Sequence, residues 1–319
     1  MIHTWKARHI LTGMLTWVPI LNAWRMRHDS TGGSDSSRYC YSVWLRHLII
    51  LDRCGFKING AQVGELGPGD SIGVGLAALL SGAARYIGLD FIPYSAKADL
   101  EKMFDELLQL YSQKEQVPDD AEFPFVRPRM DSCEFPSHLI DWTDFSTRAE
   151  EIRNQLRDGL NSGPLLGYRA PWTSLPDIAE ASLDLIFSQA VLEHVDSLDE
   201  TYRAMFAWLK PGGYASHVID FNAHGRSPFW NGHWAYSDWQ WKLVRGKREF
   251  LLNREPMSTH LAYAKKVGFE VLLSRRDQTA HGLETQALSS RFRRIDAVDA
   301  QTSGVLLILQ KPKSAQTLS

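Results

Sequence analysis

The chain has 319 residues, of which 44% are hydrophobic and 23% are charged. These are ordinary values for a globular protein, and they argue against a disordered chain and against a protein with several membrane spans. The 35 Lys and Arg residues nearly balance the 37 Asp and Glu residues, giving a net charge of -2. Such a chain has no general positive field for phosphates, so nucleic-acid binding is not expected.

The cysteines indicate a reducing environment. Cys40, Cys54 and Cys133 are widely spaced, odd in number and free of any CxxC pattern. Neither a disulfide framework nor a thiolate zinc site is therefore predicted. We expect a cytoplasmic protein.

An apolar segment, Ile10–Leu21, lies near the N-terminus and follows Lys6 and Arg8. It is too short to span a bilayer, which takes about 20 residues. Arg25 and Arg27 stand where a secretory signal would have been cleaved, which argues against a signal peptide. We predict a segment that docks on the core, with peripheral contact to a membrane surface as the second interpretation.

A Ser/Gly run at Ser30–Ser37 predicts a loop, and a helix is expected near Arg38–Cys54. Residues 1–58 are therefore interpreted as an N-terminal helical segment that precedes a larger domain at 59–319. From about residue 61, short apolar runs that end in Gly or Asp alternate with helical stretches. This alternation is typical of α/β proteins with a mostly parallel sheet. Strands are predicted at Ala61–Leu66, Ala84–Leu89, Pro164–Tyr168, Leu183–Ser188, Tyr214–Phe221, Phe269–Leu273 and Gly304–Leu309.

A long interval, at about residues 95–162, separates the second and third predicted strands. We expect helices at Ala96–Tyr111 and about Ser146–Leu160 at its two ends. Its middle, Val117–Pro136, is rich in proline and cannot be a helix. We interpret the interval as an insertion over the core, either a lid or an interface.

The first predicted strand runs into a glycine turn and then a helix of small residues, an arrangement that binds ligands at the edge of α/β sheets. Gly67 and Gly69 begin a dinucleotide-type pattern, but the third glycine of G-x-G-x-x-G is absent. Glu65 and Asp70 would repel a pyrophosphate and attract a ligand that carries an amino group and a sulfonium. The loop therefore favours a cationic nucleoside.

Asp90 follows the second predicted strand, where a carboxylate can accept hydrogen bonds from both ribose hydroxyls. Phe91 lies next to it and could pack on an adenine face. Taken singly, the glycines could form a generic turn and Asp90 could cap a surface helix. At this spacing the two features together favour a nucleoside site.

These segments together resemble the class I S-adenosylmethionine-dependent methyltransferases, over about residues 60–100 and 164–220. The resemblance is carried by Glu65–Gly69, Asp90, the run at 184–195 and Leu209–Gly213. It implies a Rossmann-like fold with a seven-stranded, mostly parallel sheet, an antiparallel last strand and helices on both faces. It also implies S-adenosyl-L-methionine as the cofactor.

The resemblance assigns roles to the cofactor residues. Glu65 and the turn Gly67, Pro68 and Gly69 would lie beside the methionine part, Asp90 would bind the ribose, and Ser188 and Gln189 would line the pocket. The segment that contacts adenine in many members contains no acidic residue here, and Trp172 would stack instead. Lys210–Gly213 is expected to form a turn before the fifth strand.

The acceptor side is rich in histidine. Transfer to an alcohol needs a base, and His is the commonest one. His224 is our first choice, with Asp220 as its orienting partner, and His194 is the second. A metal site built from His217, Asp220, His224 and His233 is not expected, because strand alternation places His217 and Asp220 on opposite faces.

The segment Ser227–Trp241 mixes aromatic rings with Asn, His and Asp side chains, which suits a sugar ring. The alternative is a Trp-rich cap that closes the core. His233 and Trp234 are candidate substrate contacts. Asn253 and Arg254 are further candidates, taken from a weaker similarity to methyltransferases of bacterial polysaccharide biosynthesis.

The sequence thus predicts a methyltransferase that acts on the oxygen of a sugar or glycan precursor. The first alternative is methylation of a small metabolite at oxygen, sulfur or nitrogen. The second is a non-catalytic, cofactor-binding partner subunit. The oligomeric state is left open.

Overall fold

The computed structural model describes residues 4–20, 33–93, 98–172 and 178–313. Within these residues, seven strands form one sheet in the order β3-β2-β1-β4-β5-β7-β6. Strands β1 to β5 pair in parallel, and β7 runs antiparallel to both β5 and β6. The predicted Rossmann-like methyltransferase sheet is confirmed. The strands are β1 Gln62–Leu66, β2 Arg85–Leu89, β3 Leu166–Arg169, β4 Leu183–Gln189, β5 Leu209–Asp220, β6 Glu270–Gln278 and β7 Thr302–Gln310.

Helices cover both faces of this sheet. Helices α2 to α5 contribute to one hydrophobic cluster, and α6 and α8 contribute to another on the opposite face. Because both faces are covered, inner strands such as β1, β4 and β7 are buried on both sides, whereas residues of the edge strand β6 alternate between exposed and half-buried. The described helices are α1 Thr4–Met14, α2 Ser37–Arg53, α3 Gly73–Ser81, α4 Leu100–Gln113, α5 Phe145–Asp158, α6 Leu198–Trp208, α7 Asp238–Arg245 and α8 Met257–Val267.

One strand starts earlier than expected. Lys210–Gly213, predicted as a turn before the fifth strand, lies inside β5. Leu183 of β4 lies opposite Leu209, but Leu185 lies opposite Tyr214. The residues of β5 between Leu209 and Tyr214 therefore form an irregularity in its pairing with β4. The N–H of Gly212 donates to the Lys311 carbonyl at 2.8 Å, so the segment stays bonded to the chain after β7. The turn prediction was wrong because long-range pairing outweighs the local preference of Pro-Gly-Gly.

Helix α2 belongs to the core of the fold. Its Arg46 is fully buried, and its guanidinium donates to the carbonyls of Pro118, Val126 and Pro128. A buried charge is tolerated when its donors are all paired in this way. Arg46 therefore holds the proline-rich stretch Val117–Pro136, which contains no described helix, against α2. The domain boundaries at residue 58 and at about 95–162 stay predictions.

Helix α1 docks on α7 through its glycine. A Cβ on Gly13 would lie 2.0 Å from the Leu243 carbonyl oxygen, so only glycine allows this approach. The other side of this segment presents apolar side chains to solvent: Leu11, Met14, Leu15, Trp17, Val18 and Ile20. None of the described helices has the length and apolar character needed to cross a bilayer. Peripheral membrane contact stays a prediction.

Parts of three predictions fall outside the described residues. These are Leu21, Arg25 and Arg27 near the apolar segment, residues 30–32 of the Ser/Gly loop, and the first two residues of the helix expected from Ala96.

Candidate active site

The glycine turn follows the carboxyl end of β1 and leads into α3, and it lies beside the carboxyl end of the neighbouring parallel strand β2. Gly67 and Gly69 have φ values of +63° and +74°. The Gly67 N–H donates to the Leu89 carbonyl at 2.8 Å, and a Cβ on Gly67 would lie 2.7 Å from a methyl group of Val191. The turn therefore needs glycine both for its backbone conformation and for its packing.

Glu65 lies in β1, one residue before the strand ends, and is 2% exposed. The Tyr86 hydroxyl donates to its carboxylate at 2.6 Å. Burial raises the pKa of Glu65 to about 8, and the nearby Asp90 carboxylate acts in the same direction. The Tyr86 hydrogen bond opposes this shift without cancelling it. A cationic ligand beside Glu65 would favour its ionised form.

Asp90 follows β2 directly and faces the same turn. Its side chain accepts hydrogen bonds from the N–H groups of Phe91, at 2.7 Å, and Gly69, at 3.2 Å. Burial outweighs these bonds and raises the pKa of Asp90 to about 6. Two carboxyl groups, Glu65 and Asp90, therefore lie on either side of the glycine turn. Burial makes the ionised form of each unfavourable unless a cation lies beside it.

The aromatic candidates lie around Asp90. Phe91 is half exposed and meets the ring of Phe250 edge-on at 5.2 Å. The N–H of Trp172 donates to the Asp90 carbonyl at 2.9 Å, and its ring packs edge-on against Trp208 at 5.6 Å. Trp172 is thus close to the predicted ribose residue, but part of its ring is used in packing.

Ser188 and Gln189 end β4 beside this turn, and both are bonded to histidines. The hydroxyl of Ser188 is fully buried and bonds His217 at 2.8 Å. The side-chain amide oxygen Oε1 of Gln189 accepts a hydrogen bond from Nε2 of His47 at 3.1 Å. His47 comes from α2, and the sequence analysis did not identify it. Only the docking of α2 on the sheet reveals this contact.

The predicted catalytic residues meet at the carboxyl ends of β4 and β5, which are also neighbours. His194 lies in a 3₁₀ turn after β4, Asp220 ends β5, and His224 follows four residues later. Nε2 of His224 lies 3.1 Å from a carboxylate oxygen of Asp220, and the rings of His194 and His224 are 5.1 Å apart. Three residues chosen from two separate segments therefore form one cluster.

The electrostatic environment differs within this cluster. Burial, together with the neighbouring His224, lowers the pKa of His194 to about 4. Burial would raise the pKa of Asp220, but hydrogen bonds from His224 and Asn222 outweigh it and lower the pKa. Asp220 is therefore ionised near neutral pH and can orient the His224 imidazole.

Glu193 is a member of this cluster that the sequence analysis missed. It is 2% exposed, and neither carboxylate oxygen forms a hydrogen bond of normal geometry with a described residue. Burial raises its pKa strongly, helped by the Asp220 charge, and backbone N–H groups offset only part of this. One ligand atom from each of Glu193, His194 and His224 lies within 4.8 Å of the others, so these three could hold a metal ion. The feature of the sequence that could have identified this site is an acidic residue followed directly by a histidine just after a predicted strand.

The four predicted substrate residues form a support behind this cluster. His233, Trp234 and Arg254 are 2%, 0% and 4% exposed. The Trp234 indole donates to the Arg254 carbonyl at 3.0 Å, and the Arg254 guanidinium donates to the Tyr236 carbonyl at 2.9 Å. These contacts favour the Trp-rich cap over a sugar platform at these positions, because a buried ring has no face free for a ligand.

Asn253 supports the turn that carries Glu193 and His194. Its side-chain amide donates to the carbonyls of Leu192 and Val195, each at 2.8 Å. Its backbone N–H donates to the Glu193 carbonyl at 2.7 Å. Asn253 therefore positions the turn, and its polar atoms are used within the protein.

A family model and several solved structures are similar to this chain. Residues 143–216 match the family model described as a methyltransferase domain. A search of curated proteins finds no match. Among solved structures, a S-adenosylmethionine-dependent methyltransferase from Mesorhizobium loti is 14% identical and has a TM-score of 0.40, covering 82% of this chain and 96% of that one.

Two further solved structures are similar to the same extent. A S-adenosylmethionine-dependent methyltransferase from Methanosarcina mazei is 14% identical with a TM-score of 0.43, covering 83% of this chain and 98% of that one. Phosphoethanolamine N-methyltransferase 2 from Haemonchus contortus, solved with S-adenosyl-L-methionine, is 14% identical with a TM-score of 0.44, covering 84% of this chain and 53% of that one. The family-model match, placed on the observed sheet order, supports a methyltransferase enzyme that uses S-adenosylmethionine.

Proposed function

We propose that this protein transfers a methyl group from S-adenosylmethionine to a hydroxyl of a sugar or glycan precursor. The observation that carries the cofactor part of the proposal is the pair of buried carboxyl groups, Glu65 and Asp90, on either side of the glycine turn. The cofactor offers the matching groups: a ribose diol that donates two hydrogen bonds, and a cationic amino group and sulfonium.

Each part of the cofactor has a proposed partner at this edge of the sheet. Asp90 would accept hydrogen bonds from the ribose, and Glu65 would lie towards the amino group of the methionine part. Gly67, Pro68 and Gly69 would allow the ligand to approach their backbone closely, as glycine turns do before a helix. Phe91 and Trp172 are the proposed contacts of the adenine, and Ser188 and Gln189 would close the pocket from β4.

The acceptor would enter over the ends of β4 and β5, next to His224. The bound cofactor would supply the methyl group: the acceptor oxygen would bond to its carbon as the carbon–sulfur bond breaks, leaving a neutral thioether. The hydroxyl proton passes to His224, whose imidazolium the Asp220 carboxylate stabilises; His194 is the second candidate for this step. Holding oxygen, carbon and sulfur nearly in line supplies much of the acceleration.

The His224–Asp220 pair supports an alcohol as the acceptor. An alkyl hydroxyl holds its proton tightly, so its methylation benefits from a base, whereas many sulfur and nitrogen acceptors do not need one. The pair is also at the protein surface, with His224 exposed. The buried rings of the Trp-rich segment have no face free for a ligand, so they do not support the proposal that the acceptor is a sugar. The unpaired Cys40, Cys54 and Cys133 are the basis for proposing a cytoplasmic location.

Transfer of a labelled methyl group tests the proposal. The purified chain is incubated with S-adenosylmethionine labelled on the methyl carbon and with fractionated bacterial extracts, and the products are separated. We expect label in carbohydrate, in a linkage that survives base as an ether does. Label in low-mass products that lack carbohydrate would favour the small-metabolite alternative. Cofactor binding without any turnover would favour the non-catalytic subunit.

A further inference from the structure

Glu193 is a buried carboxyl group that forms no ion pair with any residue the structure describes. Its two oxygens are inaccessible to solvent and form no hydrogen bond of normal geometry with a described residue. An ionised carboxylate in such a place is strongly disfavoured unless a proton or a cation neutralises it. Neighbouring Asp220 adds a second negative charge on the same side. The site therefore takes up either a proton or a cation.

Two imidazoles complete the surroundings of Glu193. His194 follows it in the chain, and Nδ1 of His194 is also buried and forms no hydrogen bond with the part of the chain that the structure describes. His224 comes from the turn after β5, and its ring lies 5.1 Å from that of His194. Ligand atoms of the three residues lie within 4.8 Å of one another. Atoms bound to one cation at about 2.0–2.2 Å lie roughly 3–4 Å apart, so side-chain shifts of about 1 Å would close the site.

We propose that Glu193, His194 and His224 bind a divalent transition-metal cation such as Zn²⁺ or Mn²⁺. One carboxylate and two imidazoles are a donor set that suits these ions. Asp220, hydrogen-bonded to His224, is placed to orient that imidazole, as carboxylates beside metal-bound histidines do. The turn with Glu193 and His194 is braced by Asn253, so two of the three donors are held before a cation arrives.

The role of the cation rests on the proposed function, although its binding does not. It would lie where the acceptor hydroxyl enters and would lower the pKa of that hydroxyl. His224 would then be a ligand and could not also accept the proton, which would pass to water. With the cation bound, the acceptor proton would pass to water, and without it the proton would pass to His224. A titration with metal ion shows whether the cation binds, and therefore which of these two routes applies.

Cobalt is the probe, because Co²⁺ replaces Zn²⁺ and absorbs visible light. The chelator-treated full-length protein is titrated with Co²⁺ and followed by absorption, and Zn²⁺ binding is measured by calorimetry. We expect one ion per chain, and at least about 100-fold weaker binding in His224→Ala and Glu193→Gln. His138→Ala and His281→Ala remove exposed imidazoles elsewhere and should bind as the wild type does.

Two outcomes would overturn the site: a folded wild-type protein that gives neither heat nor absorption, or variants that retain full affinity. Because Glu193 is buried, its variant is checked for folding by circular dichroism, while the exposed His224→Ala gives an independent test. Cofactor binding is measured on the same samples. Metal binding without cofactor binding would leave the site standing and refute the methyltransferase proposal, and the reverse result would refute only the site.

Discussion

The two edges of the candidate site are built in different ways. The cofactor edge comes from one stretch, from Glu65 to Asp90, in which a strand, a glycine turn, a helix and a second strand follow one another. The acceptor edge combines the turn after β4, the turn after β5 and Asn253, which lies about 60 residues beyond the first of these turns. A binding loop made from neighbouring residues can be identified in a sequence, whereas a cluster made from distant ones needs the fold.

The charges of the two edges also differ. At the cofactor edge, burial raises the pKa of two carboxyl groups, Glu65 and Asp90, which suits a cationic ligand. At the acceptor edge, imidazoles stand beside carboxyl groups, so protons or cations can be exchanged. Variants at one edge should therefore affect binding, and variants at the other should affect turnover.

The largest effect is expected at the acceptor edge. His224→Ala should lower kcat by roughly 10²–10⁴ because the group that receives the acceptor proton, or holds the cation, is lost. The affinity for S-adenosylhomocysteine, measured by calorimetry, should stay the same. His281→Ala, another exposed histidine, is the control. An unchanged kcat would mean that the transfer needs neither a base nor a cation at this position.

Asp90→Ala should act on the other edge. Loss of its hydrogen bonds to the ribose should weaken cofactor binding by about 1–3 kcal/mol, roughly 5- to 150-fold. Calorimetry with S-adenosylhomocysteine measures this change in affinity. At saturating S-adenosylmethionine, the kcat of the variant should be close to that of the wild type. Glu270→Ala, which removes an exposed carboxylate at the start of β6, at the opposite edge of the sheet, is the control. Equal affinities for wild type and Asp90→Ala would contradict the ribose assignment.

Cofactor affinity should rise with pH between about 6 and 8. The pKa of Asp90 is raised to about 6 and that of Glu65 to about 8, so both bind protons that a cationic ligand must displace. Each released proton contributes up to about tenfold per pH unit. Calorimetry in buffers of different ionisation enthalpy counts the protons. Glu65→Gln should flatten the upper part of this dependence, and an unflattened profile would place the titrating group elsewhere.

The same two groups should contribute less to the stability of the ligand-free protein as pH rises. Their raised pKa values mean that the folded chain holds protons that the unfolded chain has already lost between about pH 4 and pH 8. Their stabilising contribution is therefore greatest below this window and declines through it, whereas buried histidines such as His47 and His217, whose pKa values are lowered, act in the opposite direction below about pH 7. The stability of the wild type relative to Glu65→Gln, measured by thermal unfolding, should therefore fall between pH 6 and 8. A difference between the two proteins that stays constant over that interval would contradict this contribution of Glu65.

The smallest effect is expected for the support of the acceptor edge. Asn253→Ala removes two hydrogen bonds to the carbonyls of Leu192 and Val195, which should lower the free energy of unfolding by about 1–3 kcal/mol. It should lower kcat more than cofactor affinity because the turn with His194 loosens. Thermal unfolding and kinetics on one sample separate these effects. A direct substrate contact would instead raise KM without changing stability.

Much of the cofactor edge follows from the sequence by itself. All seven strands were predicted, because apolar runs bounded by Gly and Asp are local patterns, but β5 starts five residues before and β6 ends five residues after the predicted boundary. The turn at Gly67 and Gly69 was identified because its backbone conformation requires glycine, whatever lies around it. Asp90 was found from its spacing after the second strand.

Only the tertiary structure decided the rest. It showed that Lys210–Gly213 lies in a strand, that Trp234 and Arg254 are buried, and that Glu193 meets His194 and His224. Each of these depends on side chains or strands that are distant in the chain. Local pattern determines which elements form, but the partner of a side chain and its exposure to water depend on how those elements pack.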